Sequence, residues 1–177
     1  SDMATSLSKY AFINAKLRAR ISQILPRDLF SQMAHAPSID AALALYRRDF
    51  QPSAALDRPH VMVAMNVFAA ENEAEARLLA SSQQQSFVRL RSGNPGKLPP
   101  PVADYTNTLP APAQAMLAHV GQAAAVGTRA QVRDGIAAFA ARTGADEIML
   151  CGATYDPDAR IRSLELTLDA CKTMAAL

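Results

Sequence analysis

An apolar run, Ile148-Met149-Leu150-Cys151, leads through Gly152-Ala153 to Thr154, Tyr155 and Asp156, and then to Pro157. A hydroxyl, a phenol and a carboxylate in succession are residue types that hold ligands, and α/β folds place ligands at the carboxyl ends of their strands. Tyr155 and Asp156 are therefore the candidate binding residues, with Thr154 beside them. The same stretch also has the chemistry of a plain turn, because Pro157 can open a helix at a position that needs no amide hydrogen. Both readings stand on the sequence. Arg160 and Arg162 follow within one turn of that helix, where the dipole disfavours cations. They point either to an anionic partner or to pairing with Asp156, Asp158 or Glu165. Asp146-Glu147 lies at the opposite, amino end of the run, where barrel residues serve stability.

Other chemistry is sparse. There is no phosphate-binding glycine loop, no GxSxG elbow, no HExxH and no CxxC. His35, His60 and His119 are scattered, which argues against a metal cluster. Cys151 in the apolar run and Cys171 in the last helix read as buried, reduced thiols and not as a disulfide framework. No catalytic residue is assigned.

Periodicity locates the elements that carry these residues. Thr128 sits at an N-cap position, Val132, Ile136 and Phe139 recur at helical spacing, and Gly144 takes the stop position. The run from Glu147 to Ala153 follows. Its lack of alternation suits a parallel strand covered on both faces. With the helix from Pro157, this makes an αβα unit. Upstream, His60 to Ala69 reads as the clearest strand. Glu71 to about Arg91 reads as a helix whose acidic first turn matches its dipole. Ser92 to Pro112, with Gly93, Gly96 and a Pro99-Pro100-Pro101 run, reads as an extended surface excursion. A short helix from Ala113 to Gln122 and a strand over residues 123–126 precede Gly127. At the amino end, Leu7, Tyr10, Ile13, Leu17, Ile21 and Leu25 make an amphipathic stripe over Ser6 to Leu25. A second helix over Arg27 to His35 and a third capped by Ser38 complete a helical arm.

The 177 residues suffice for one domain with an arm. Half the residues are hydrophobic but only 6% are aromatic, so the core must be built from Ala, Leu, Val, Met and Ile. The formal net charge of +2 comes from interspersed charges, which demands neither nucleic acid nor an anionic membrane. No apolar run approaches the roughly 20 residues that span a bilayer. No secretory signal is visible, and the expected location is cytoplasmic.

Residues from about 41 to 170 resemble the carboxyl-terminal part of the luciferase-like, flavin-dependent monooxygenase family. The likeness rests on ALALYRRDFQPSAALDRPHVMVAMNVFAAENEAEARLLASSQQQSFVRLRSGNPGKLPPPV followed by VGTRAQVRDGIAAFAARTGADEIMLCGATYDPDARIRSLEL. It implies (β/α)₈ barrel units, with Val61 to Ala69 as the sixth strand, Ala124 to Val126 as the seventh and Ile148 to Ala153 as the eighth. It also implies FMN or a deazaflavin as the family's cofactor. Since a whole barrel takes about 250 residues, this chain holds only part of one, and no cofactor is expected in the isolated chain. Residues from about 9 to 44, KYAFINAKLRARISQILPRDLFSQMAHAPSIDAALA, resemble the start of an all-α stalk-attachment protein family of the rotary vacuolar-type ATPases. Together the two likenesses suggest a chimera.

The expected fold class is α/β: partial barrel units with a small parallel sheet (51–177) behind an amino-terminal α-helical arm (1–50). The expected function is that of a luciferase-like monooxygenase fragment without a complete catalytic site. The alternative is a non-catalytic structural or interaction protein. Open sheet edges make a homodimer the expected assembly.

Overall fold

The computed structural model describes residue 36 and residues 38–175. The helices expected over Ser6 to Leu25 and Arg27 to His35 lie outside the described residues. The chain divides into two compact units, Ser1–Val61 with Arg142–Asp146, and Met62–Ala141 with Glu147–Leu177.

In the first unit, Ser38 has extended backbone and its hydroxyl accepts the Ala41 amide at 3.2 Å, capping helix α1, Ile39–Asp49. Leu43 and Tyr46 form its buried side. The Tyr46 ring meets Phe50 edge-on at 5.7 Å, and its hydroxyl lies 3.4 Å from both the amide and the carbonyl of His60. Arg47 donates to the carbonyls of Thr143 at 2.6 Å and Gly144 at 2.8 Å. Those carbonyls lie at a helix end, and Gly144 takes the left-handed conformation (φ +54°) that ends the helix as the sequence suggests. Asp146 ties the segment down: its amide donates to the Val61 carbonyl at 2.9 Å and its carboxylate accepts the Val61 amide at 2.8 Å.

The second unit is a three-stranded parallel sheet of β1 (Met62–Ala69), β2 (Ala124–Gly127) and β3 (Glu147–Cys151) with four α-helices. These are α2 (Glu73–Arg91), α3 (Ala111–Gly121), α4 (Arg129–Thr143, whose last two residues fall in the first unit) and α5 (Pro157–Ala175). The parallel α/β architecture agrees with expectation, and Asn72 caps α2 by accepting the Glu75 amide at 2.9 Å. The proline-rich excursion is irregular apart from a 3₁₀ turn at Tyr105–Thr108. It is pinned to α2: the Val102 amide donates to Ser81 Oγ and Gln85 donates to the Pro100 carbonyl, both at 2.8 Å. Thr128 and Gln131 cap α4 reciprocally, Thr128 N donating to Gln131 Oε1 at 2.8 Å and Gln131 N to Thr128 Oγ1 at 3.4 Å.

Two expectations are corrected here. The strand numbering implied by the resemblance requires the Ala124 strand to lie between the other two, but the order is β2-β1-β3. β2 is only four residues long and pairs with Asn66 to Ala69, while β3 pairs with Met62 to Asn66 on the other side of β1. The Ile148 to Cys151 strand is also not covered on both faces. Ile148 and Leu150 are half-buried, while Met149 is 56% exposed beside Met62 at 55%. One face of this half of the sheet is open.

The covered face is built by close approach of small residues. A Cβ added to Gly135 on α4 would lie 2.9 Å from the Ala125 Cβ of β2. Overpacking there costs about 1–3 kcal/mol, which exceeds the ~1 kcal/mol that alanine gains over glycine in a helix. On α5 the buried residues Ala159, Ser163, Thr167 and Ala170 recur at helical spacing, and Ser163 Oγ accepts the Ala69 amide at 2.8 Å. Val63, Met65 and Val67 of β1 are buried, Val67 almost completely. Ser82 Oγ is the buried side-chain polar atom without a partner among the described residues.

The Asp146 contact makes a pH-dependent prediction. The Val61 amide holds this carboxyl below the usual carboxylate range, and His60 and Arg58 add to the effect. Because folding lowers its pKa, its stabilisation is complete above about pH 4 and is lost as pH falls through the folded value. Asp146→Asn is expected to lower the urea midpoint at neutral pH, with the deficit narrowing as pH falls below about 4. A deficit of constant size across that range would contradict the assignment.

Candidate functional site

The carboxyl end of β3 and the middle of β1 bring together what the sequence separates by about 85 positions. Asn66 and Cys151 are register partners, and Cys151 Sγ lies 3.5 Å from both Asn66 Oδ1 and the Met65 carbonyl. Cys151 is exposed, not buried, because it sits on the open face of its strand; Cys171 is half-buried. Both are free thiols. Just past β3, the Ala153 amide has no further strand to pair with. It donates instead to Gln83 Oε1 of α2 at 2.9 Å. A Cβ at Gly152 would lie 2.5 Å from the Val67 carbonyl, so only glycine lets the chain leave β3 this close to β1.

Thr154 is buried, and Tyr155 is 52% exposed. Asp156 has a definite structural role: its carboxylate Oδ1 accepts the Ala159 amide at 2.8 Å, and its carbonyl accepts the Arg160 amide at 3.1 Å, so it caps α5. A cap of this kind is worth about 1 kcal/mol. No ion pair joins Arg160 or Arg162 to Asp156, Asp158 or Glu165 among the described residues. Arg162 instead lines a cleft with Glu71, Glu75, Glu165 and Asp169. His60 begins the approach to β1 and His119 lies in the last turn of α3, while His35 is outside the described residues. Among the described residues no three His, Cys, Asp or Glu side chains form a metal-ligand set.

Next to Asn66, the sheet and helices line a half-open cavity of about 240 Å³. Asn66, Phe68, Ala124 and Val126 form its floor, Ala80, Gln83, Gln84 and Phe87 of α2 one wall, and Leu117, Val120 and Gly121 of α3 the other. Sequence reasoning missed it. Its polar members are three carboxamides, Asn66 on β1 and Gln83 and Gln84 on α2.

Over 128 residues, 72% of the chain, the sequence is 41% identical to a luciferase-like monooxygenase of Escherichia coli K12. Over 131 residues it is 37% identical to the uncharacterized protein YvbT of Bacillus subtilis strain 168. The chain spans 38% and 39% of the length of these relatives. The crystal structure of apo-MsnO8 superposes with a TM-score of 0.64 at 25% identity, covering 81% of this chain and 48% of that one. No family model matches the chain. No described helix is long and apolar enough to cross a membrane.

Thiol chemistry checks the geometry of the strand end. Burial pushes the Cys171 thiol up, leaving less thiolate at neutral pH, whereas Cys151 is exposed. A thiol reagent is expected to modify Cys151 roughly tenfold faster than Cys171. Equal rates in peptide mapping would place Cys151 in the interior.

Proposed function

We propose that the chain is the carboxyl-terminal part of a luciferase-like, flavin-dependent monooxygenase, and that by itself it lacks a complete catalytic site. The observation that carries this reading is the open sheet face. Met62 and Met149 are 55% and 56% exposed, and the exposed residues Ala64, Glu147 and Cys151 share that face by register. In a closed barrel such positions point into the packed interior. The 41% identity to a luciferase-like monooxygenase supports the family.

The residues at the strand ends do not fit FMN on their own. An anionic phosphate is drawn to the free amides of a helix start. At α5 the Ala159 amide is taken by the Asp156 carboxylate, which would repel a phosphate. At α4 the Gln131 amide faces the Thr128 hydroxyl. Tyr155 is exposed and free to stack on a ring, so it is the side chain to test. The isolated chain is expected to pass through gel filtration without carrying flavin absorbance after incubation with FMN. Stoichiometric retention would refute the incomplete-site reading.

A second reading is favoured by the same open face: a non-catalytic interaction protein, in which a helical arm over 1–50 is joined to the 51–177 domain and the chain works as a cytoplasmic homodimer. The face is apolar apart from Glu147 and Asn66, and both outer edges of the sheet lack a partner strand among the described residues. A second copy packed across a two-fold axis covers the open face. Val63 and Val67 are core residues, so the informative substitution is at the exposed Met149. Met149→Lys is expected to weaken self-association roughly tenfold or more in sedimentation equilibrium. A wild-type chain that stays monomeric at high micromolar concentration rules the dimer out.

A further inference from the structure

The cavity between β1, β2, α2 and α3 has a composition that selects for a ligand. Its lining is apolar: Phe68, Phe87, Leu117, Val120 and Val126 supply most of the wall, and no charged side chain takes part. An ionic guest would lose water there and find no counter-charge, which disfavours phosphates, carboxylates and ammonium groups. A cavity of roughly 150 Å³ with apolar walls accepts one benzene ring, so about 240 Å³ accommodates one ring with a short substituent.

The polar members add direction. Two of the carboxamide oxygens have a protein donor: Gln83 Oε1 accepts the Ala153 amide at 2.9 Å and Gln84 Oε1 accepts the Thr106 hydroxyl at 3.4 Å. Asn66 Oδ1 lies 3.5 Å from the Cys151 sulfur, whose single S–H lies equally close to the Met65 carbonyl. The carboxamide NH₂ groups have no acceptor among the described residues, and they are open to water, since Ser82 Oγ is the buried side-chain atom without a partner. A guest carrying a neutral acceptor takes the place of that water.

We propose that this cavity is a binding site for a neutral, ring-sized molecule bearing a carbonyl-type acceptor, recognised by apolar packing and by carboxamide donors from Asn66, Gln83 and Gln84. It adjoins the open sheet face, which shares Asn66 with it, and does not rest on the flavin reading.

The full chain is titrated with benzamide, and with ethylbenzene as the apolar control, while backbone amide shifts are followed by NMR. Saturable shifts centred on the cavity are expected, with benzamide bound about fivefold to tenfold more tightly, the worth of a lost hydrogen bond. Gln84→Leu removes one donor without touching the Ala153 contact and is expected to reduce that preference severalfold. Ala124→Leu fills the floor and is expected to abolish binding of both. Absence of saturable shifts, equal affinity for the two probes, or benzamide binding unchanged in Ala124→Leu overturns the proposal. Should one variant fail to fold, the other together with the two-probe comparison decides it.

Discussion

The double pairing of β1 is the constraint on which the rest depends. Its first half, Met62 to Asn66, pairs with β3 and its second half, Asn66 to Ala69, pairs with β2. Asn66 is therefore the one residue with a register partner on each side. The backbone pairing on both sides forces β1 into the centre, and its alternation then decides what is buried: Val63, Met65, Val67 and Ala69 on one face, Met62 and Ala64 open on the other. A parallel sheet normally hides both faces. Here α2 and α3 cover Phe68 and Val126 at one end and leave the Met62–Met149 end bare.

Where the ladders run out, side chains take over the backbone groups. Ser163 accepts the Ala69 amide, Gln83 the Ala153 amide and Asp156 the Ala159 amide. The Ala70 amide continues to the Gly127 carbonyl. In the other unit Asp146 does the same for Val61. Each contact satisfies a donor that would be costly to strand. The consequence for function is that several polar side chains nearest the strand ends are already engaged. Asp156 is the plainest case, since the carboxylate that looks like a ligand contact holds the start of α5.

What remains unengaged is informative for the same reason. Tyr155, the carboxamide NH₂ groups beside the cavity and the open methionines are the groups that the described fold leaves over. They separate into an apolar sheet face, suited to more protein, and a small uncharged cavity, suited to a small neutral molecule.

The sequence by itself determined the elements, because their signals are local. Ser38, Thr128 and Gly144 mark helix ends through hydrogen bonds and dihedral preferences that reach only a few residues. The apolar runs of β1 and β3 needed no partner to be recognised. The likeness to luciferase-like monooxygenases was legible too, since it resides in contiguous segments. Only the tertiary structure decided the order β2-β1-β3, since pairing depends on which edges meet and not on the run itself. It also decided that Cys151 and Met149 face outward, because an apolar run without alternation does not say which face lacks a cover. The cavity was invisible for the same reason: Asn66, Gln83, Gln84 and Val120 come from three elements, and nothing local ties a glutamine on a helix to an asparagine on a strand until the chain has brought them together.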